Sequence, residues 1–167
     1  MHIVLDLDET CISSQELSTI VKGLEYFVID DDTNCFKRPF LDQFLDWAFE
    51  NHRVSFWSNG IKSYVLDIVK NICKTNQIPY MILWRTSCDY CMKETGGLKD
   101  FEWLMEKKID LGPETEIVLV DDLKENCDSN PKNCYNIPAF NADSALAQND
   151  RELVKLVAWI EKLQREK

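Results

Sequence analysis

The sequence has little of what marks disordered, membrane-spanning or nucleic-acid-binding chains. Only five of its 167 residues are glycine, five are proline, and no low-complexity tract occurs. No apolar run approaches the length that a bilayer requires. Lysine and arginine number 19 against 29 acidic residues; the net charge of −10 argues against binding a phosphate backbone. What remains is a globular protein, and the length predicts one domain over residues 1–167.

We expect neither a secretory leader nor a disulfide framework. The apolar run IVL begins at residue 3 and leaves no room for a leader, so we expect an intracellular protein, cytoplasmic or nuclear. Seven scattered cysteines, an odd number, fit a reducing compartment. CDYC at 88–91 has the spacing of a zinc ligand pair, but no second pair with that spacing exists. We therefore do not expect a structural zinc site.

Short β-rich apolar runs alternate with helical patterns along the chain. This alternation predicts an α/β fold, a Rossmann-like, mostly parallel sheet flanked by helices. LEYFVID and NCFK flank the turn-rich DDTN and predict a small β-hairpin insertion at about 20–37, without any large cap domain. Pro39 suits the first position of a helix. The expected strands cover 3–7, 53–57, 80–84, 116–120 and a short stretch near 134–140, and the expected helices lie at 39–51, 61–72, 98–105 and 153–163.

Polar side chains follow the ends of these strands. In open parallel sheets ligands bind beyond the carboxyl ends of the strands, so these side chains should converge. A cluster of carboxylates with one lysine and one hydroxyl suits phosphoryl transfer to a carboxylate, helped by Mg²⁺, which prefers oxygen ligands. The side chains are Asp6, Asp8, Ser58, Asp121 and Asp122, with Lys99 opening the helix before the fourth strand.

The two-residue spacing of Asp6 and Asp8 predicts separate roles for the two carboxylates. Residues i and i+2 of an extended segment point to one side. Asp6 can therefore attack phosphorus while Asp8 protonates the leaving oxygen and later takes a proton from water.

These motifs resemble those of the haloacid dehalogenase superfamily of phosphatases. The residues are DLDET, Ser58 in SFWSNG, Lys99 in GLKDF, and LVDD. The similarity is greater to its branch of small phosphatases that act on the RNA polymerase II C-terminal domain, also called NLI-interacting-factor-like. In that branch RP and an acidic helix follow the first motif, here KRPFLDQFL, and RTSC and NPKN match two further runs.

The resemblance implies a role for each matching residue. Asp6 would be the nucleophile and Asp8 the acid and base. Lys99 would be catalytic with Ser58, and Asp121 would position Lys99. The metal ligands would be the Asp6 carboxylate, the Asp8 backbone carbonyl and Asp122, and the phosphate-binding residues would be Thr10, Ser58, Asn59 and Lys99.

The sequence departs from the branch in three places. Cys11 replaces a leucine, DDLKE replaces DNSP, and the insertion before RP looks shorter than usual. Aspartate thus replaces asparagine as a metal ligand. Since the insertion forms part of the substrate pocket in the relatives, their substrate preference transfers poorly.

Together these observations predict a Mg²⁺-dependent phosphomonoesterase. Neither the interval from Asp8 to Pro39 nor that from Ser58 to Lys99 is long enough for a lid domain, so we expect an open site. An open site favours a phosphoserine or phosphothreonine on a protein or peptide as the substrate. We expect neither a nucleic acid nor a membrane as a partner. A phosphatase of another phosphate ester, a receiver-like phosphoacceptor module and an inactive binding scaffold are the alternatives.

Overall fold

The computed structural model describes residues 1–85, 96–107, 109–113 and 116–166. The CDYC segment lies outside these residues. In chain order the elements are β1 (His2–Leu5), β2 (Ile12–Glu16), β3 (Tyr26–Ile29), β4 (Thr33–Lys37), α1 (Leu41–Asn51), β5 (Arg53–Trp57), α2 (Lys62–Ile72), β6 (Met81–Leu83), α3 (Phe101–Glu106), β7 (Ile117–Asp121), α4 (Lys124–Ser129), β8 (Cys134–Asn136), a 3₁₀ turn (Ala147–Asn149) and α5 (Glu152–Arg165).

The main sheet has five parallel strands in the order β6-β5-β1-β7-β8. This confirms the predicted α/β fold class. β1 lies at the centre, where Leu5 pairs with Phe56 of β5 and with Val120 of β7. The carboxyl ends of these three strands therefore meet at one edge, and the segments after them form the candidate site.

Both faces of the sheet are buried because its strands carry apolar residues on both sides. Along β1, Ile3 and Leu5 join one core cluster with residues of α1, α2 and α5, while Val4 joins a second cluster with residues of α3. Burial on both faces fixes β1 and hence the start of the loop that follows it.

The insertion is larger than a hairpin. β3 and β4 form the expected antiparallel pair, and β2 adds to β4 to give a three-stranded sheet in the order β2-β4-β3. The sequence prediction missed β2 because ISSQE has no clear apolar alternation, yet its first residue is buried in the main core.

The first helix begins later than predicted. Leu41 is its first residue, and Phe40 before it has φ 68 in the left-handed region. The Leu41 N–H donates to the Arg38 carbonyl at 3.1 Å, so Pro39 and Phe40 form a turn instead of the first helical residues. Among the described residues, no helix combines the length and apolar character that crossing a bilayer requires.

Candidate active site

The loop after β1 folds back tightly on itself. The backbone N–H groups of Thr10, Cys11 and Ile12 all donate to the Leu7 carbonyl, at 3.3, 2.8 and 3.0 Å. Glu9 takes a left-handed conformation, φ 54, to make this turn. Such conformations persist only where the surroundings hold them, and they occur often at functional sites.

Arg38 supplies much of that support. Its side chain is almost completely buried, and Nη1 donates to the Thr10 carbonyl at 3.1 Å. Nε and Nη2 donate to the two carboxylate oxygens of Asp150 at 3.0 and 2.8 Å, and Nη2 also reaches the Pro138 carbonyl at 2.7 Å. One guanidinium thus ties the loop after β1 to the segment after β8 and to the start of α5.

The centre of the site is a buried lysine between two carboxylates. Lys99 Nζ donates to Asp6 Oδ1 and, at 2.7 Å, to Asp121 Oδ2. The three residues are only 2%, 7% and 0% exposed, in the order Lys99, Asp6, Asp121. Charged side chains are rarely buried unless they pair with opposite charges. The ion pairs therefore fix the position of Lys99 and also balance part of the buried charge.

Two asparagines fix the backbone of Lys99. Asn126 Oδ1 accepts from the Lys99 N–H at 2.9 Å, and Asn130 Nδ2 donates to the Lys99 carbonyl. Asn126 Nδ2 also donates to Asp121 Oδ1 at 3.0 Å, and Asn130 Oδ1 accepts from the Phe101 N–H at 3.0 Å. The lysine is held at its backbone by these amides and at its ammonium by the carboxylates.

A disulfide lies directly beside these asparagines. It joins Cys127 in α4 to Cys134, the first residue of β8. Asn130 falls within the loop that the bridge closes. This pair differs from the sequence analysis, which expected the cysteines of a reducing compartment and no disulfide framework.

Asp6, Asp121 and Asp122 form a group that could hold a metal ion. One carboxylate oxygen from each lies within 4.8 Å of the others. Asp121 is already engaged through both oxygens, since Oδ2 accepts from Lys99 and Oδ1 from the Leu123 N–H at 3.0 Å. The oxygens of Asp6 and Asp122 are therefore the better candidates for ligands. Carboxylate oxygens suit Mg²⁺, so these residues fit the ion that the sequence analysis predicts.

Burial and like charges raise the pKa values of Asp6 and Asp122. Burial raises the pKa of Asp6, Lys99 opposes the rise, and Asp121 adds to it. Burial and the charge of Asp121 raise the pKa of Asp122 in the same direction. Burial alone would lower the pKa of Lys99, but its two carboxylate neighbours raise it above the ordinary value. The site has more negative than positive charge, and a cation would relieve the imbalance.

The second aspartate of the first motif faces a different neighbour. The Tyr64 hydroxyl, in the first turn of α2, donates to Asp8 Oδ1. The structure thus separates Asp6, which pairs with Lys99, from Asp8, which pairs with Tyr64. The sequence analysis predicted only the helix at 61–72 that contains Tyr64, and it missed this contact because apolar periodicity does not show what a hydroxyl will bond.

The other predicted site residues lie close to these loops. Ser58 follows β5 and is buried; its Oγ accepts from the Gly60 N–H at 2.9 Å and so keeps its own hydrogen to donate. The Asn59 side chain donates to the Gly97 carbonyl at 3.1 Å, near Lys99. Thr10 Oγ1 is fully buried, and none of the described residues gives it a hydrogen bond.

The fold, a parallel sheet flanked by helices, is haloacid dehalogenase-like. The solved structure of Fcp1, an essential RNA polymerase II CTD phosphatase, matches 99% of this chain with a TM-score of 0.59 at 20% sequence identity. The match covers 52% of that protein, so this chain spans about half its length.

More specifically, the chain belongs to the NLI interacting factor-like phosphatase family, whose model matches residues 1–167. A CTD phosphatase-like protein of Invertebrate iridescent virus 3 is 29% identical over 178 residues, covering 95% of this chain and 94% of that protein. CTD small phosphatase-like protein 2 of Dictyostelium discoideum is 28% identical over 167 residues, covering 98% of this chain and 27% of that protein. Family and fold identify a phosphatase of the FCP/SCP type and confirm the resemblance found in the sequence.

Proposed function

We propose that this chain is a Mg²⁺-dependent protein phosphoserine or phosphothreonine phosphatase that forms an aspartyl phosphate on Asp6. The observation that carries the proposal is the buried Lys99, held between Asp6 and Asp121, with Asp122 beside them. Lys99 neutralises part of the negative charge where an anionic phosphate would have to approach.

The first step transfers the phosphoryl group to Asp6. A carboxylate oxygen of Asp6 forms a bond to phosphorus as the bond from phosphorus to the serine or threonine oxygen breaks, and Asp8 gives its proton to that leaving oxygen. Lys99 and the Ser58 hydroxyl donate to the phosphoryl oxygens, with Thr10 and Asn59 supporting the loops around them.

The second step releases phosphate. Asp8, now ionised, takes a proton from water, and the water oxygen bonds to phosphorus as the bond to the Asp6 oxygen breaks. This returns both carboxyl groups to their starting states, and inorganic phosphate leaves.

Asp6, Asp122 and the Asp8 backbone carbonyl would hold the Mg²⁺ ion, and Asp121 would position Lys99. When bound, the ion supplies positive charge that offsets the repulsion between the carboxylates and the phosphate.

A protein substrate fits the surroundings of the site. From Asp8 to Pro39 the chain forms the small antiparallel sheet, and from Ser58 to Lys99 the described residues form α2 and β6. Neither of these described parts is a lid domain. An open site admits a side chain on a large partner and encloses a small metabolite poorly. The CTD phosphatase names of the relatives support the same substrate class.

Hydrolysis of 4-nitrophenyl phosphate tests the chemistry. We expect turnover that requires Mg²⁺ and falls at least about 10³-fold in Asp6→Asn, while Asp143→Asn, an exposed aspartate after β8, stays at the wild-type rate. Wild-type protein that is inactive under all conditions would contradict the proposal and favour a binding scaffold.

Trapping the intermediate separates a phosphatase from a receiver-like module. With labelled 4-nitrophenyl phosphate, whose leaving group needs almost no proton, Asp8→Asn should accumulate an acyl phosphate that wild type turns over, and Asp6→Asn should not become labelled. Stable labelling of wild type without release of phosphate would favour the receiver-like module. A kcat/KM for a free sugar phosphate that exceeds every phosphopeptide by orders of magnitude would contradict the protein substrate.

Stability measurements report metal binding without activity. A ligand at 100 times its Kd stabilises the native state by about 2.7 kcal/mol, so saturating Mg²⁺ should raise the free energy of unfolding by roughly that amount. Asp122→Ala should remove most of the gain, while Asp143→Asn should keep it. No rise in wild type would contradict a magnesium site.

A further inference from the structure

Tyr64 contacts the proposed general acid but has no role in the reaction described above. Its hydroxyl donates to Asp8 Oδ1, and none of the described residues donates a hydrogen bond to Oδ2 of the same carboxyl group. One oxygen of the proposed acid is thus held, and the other is left for the leaving group.

Tyr64 is itself held by the small antiparallel sheet. The Ser14 hydroxyl, on β2, lies 2.8 Å from the Tyr64 hydroxyl, and Cys35 Sγ, on β4, lies 3.6 Å from Ser14 Oγ. Ser14 and Cys35 are direct partners in the β2–β4 register. Since Tyr64 donates to Asp8, Ser14 must donate to Tyr64, and Cys35 must then donate to Ser14. All the donors in this series of hydrogen bonds are therefore directed toward the Asp8 carboxylate.

The ring of Tyr64 is also packed closely. A Cβ on Gly60 would lie 2.7 Å from Tyr64 Cδ1, so only glycine at position 60 leaves room for the ring. Burial raises the pKa of the phenol, and the adjacent Asp8 adds to the rise, so the hydroxyl remains a donor. The hydroxyl is thereby directed at Asp8 from a fixed ring.

We propose that Tyr64 is a positioning residue that orients the Asp8 carboxyl toward the leaving oxygen, and that Ser14 holds Tyr64 in place. This inference rests on the proposed function, in which Asp8 is the general acid. It gives the small antiparallel sheet a part in the chemistry, since the sheet supplies Ser14.

The consequence depends on the leaving group. A poor leaving group, such as a serine alkoxide, needs a proton in the transition state, whereas 4-nitrophenolate leaves almost without help. Loss of Tyr64's hydroxyl should therefore matter for the first and hardly for the second. A purely structural role would lower both rates alike.

The test compares kcat/KM, which reports the first phosphoryl transfer, across substituted phenyl phosphates and a phosphoserine peptide. Correctly placed acid catalysis contributes about 10²–10⁴-fold, so Tyr64→Phe should lose roughly 10- to 100-fold on the peptide and less than about threefold on 4-nitrophenyl phosphate. Across the phenyl series its rates should fall more steeply as the leaving phenol becomes less acidic. KM should change little.

Other variants make the test specific. Ser14→Ala should show the same steepening to a smaller degree, and Asp8→Asn to a greater one. Tyr80→Phe, which changes a tyrosine before β6 at the far edge of the sheet, should match wild type on every substrate.

Equal losses on all substrates, or none, in a Tyr64→Phe protein whose unfolding midpoint is unchanged would overturn the inference. If Tyr64→Phe does not fold, wild-type slopes in Ser14→Ala would overturn it. Failure of the proposed function looks different, because wild type would then hydrolyse none of these esters.

Discussion

At the scale of single residues, the two histidines differ in whether their buried ring nitrogens are hydrogen-bonded. The ring nitrogens of His2 are both bonded, to Ser55 Oγ at 2.8 Å and to the Leu111 carbonyl at 2.6 Å. Those of His52 are buried, and none of the described residues bonds to them. His52 instead packs edge-on against Trp47, with ring centroids 4.8 Å apart. The same side chain is thus satisfied at one position and unsatisfied at the other.

Burial lowers the pKa of His52 to about 4, from 6.5. Between these values the unfolded chain binds the proton that the folded protein excludes, so the free energy of unfolding falls as the pH drops from about 6.5 to about 4. His52→Phe keeps the contact with Trp47 and should flatten this fall, measured by urea unfolding at several pH values. An unchanged pH slope would contradict the assignment.

At pH 7.5 the two histidines should respond in opposite directions. Removing an unsatisfied ring should leave stability unchanged or raise it by about 1 kcal/mol in His52→Phe. His2→Phe leaves Ser55 and the Leu111 carbonyl without a partner and should lower it by about 1–3 kcal/mol. Similar losses in both variants would show that packing, and not hydrogen bonding, decides.

How far sequence reasoning reaches is also visible in single residues. Asp6, Lys99, Asp121 and Asp122 were expected together because strand ends converge, and the structure places them together. Asn126 and Tyr64 were not expected, and Asn130 was noted only as the first residue of NPKN, because these side chains act through hydrogen bonds between distant parts of the chain. A local pattern shows which face of a helix is buried, and it does not show which partner a buried amide or hydroxyl meets.

At the scale of elements, α4 and the loop after it carry Asn126 and Asn130, the two asparagines that hold the backbone of Lys99. The disulfide joins α4 to β8 across the loop that carries Asn130. Local periodicity was enough to predict the long apolar strands and helices, whereas this cross-link depends on two elements coming together. The disulfide should therefore stabilise the packing of α4 against β8, which no local sequence pattern predicted.

Opening the bridge should lower stability. For a closed loop this short, the chain-entropy estimate is about 2–3 kcal/mol. Cys127→Ser combined with Cys134→Ser should lose that amount in urea unfolding, and a reductant should destabilise wild type while leaving the double variant unchanged. Identical unfolding of oxidised wild type and the double variant would contradict a stabilising bridge.

At the scale of the whole molecule, Arg38 joins parts of the chain that are distant in sequence. It bonds to the loop after β1, to the segment after β8 and to Asp150 before α5. These contacts hold the loop that carries Asp8 against the segment after β8 and the start of α5. Stability and the shape of the site should therefore depend on the same side chain.

Replacing Arg38 should be costly even by another cation. Lysine cannot make the paired contacts to Asp150, and breaking a buried pair costs about 3–5 kcal/mol. Arg38→Lys should lose a large part of that free energy of unfolding together with phosphatase activity. Arg38→Met combined with Asp150→Leu should lose less than Arg38→Met alone, because no buried charge is left unpaired. A larger loss in the double variant would contradict this account.

The central position of β1 has a consequence for how the protein is made. Both neighbours of this strand, β5 and β7, come much later in the chain, β7 more than a hundred residues after it. During synthesis β1 can pair with β5 first, and one of its edges has no hydrogen-bonding partner until β7 has left the ribosome. Such unpaired edges invite chain-to-chain association and slow folding. The nascent chain should thus depend on chaperones until β7 emerges.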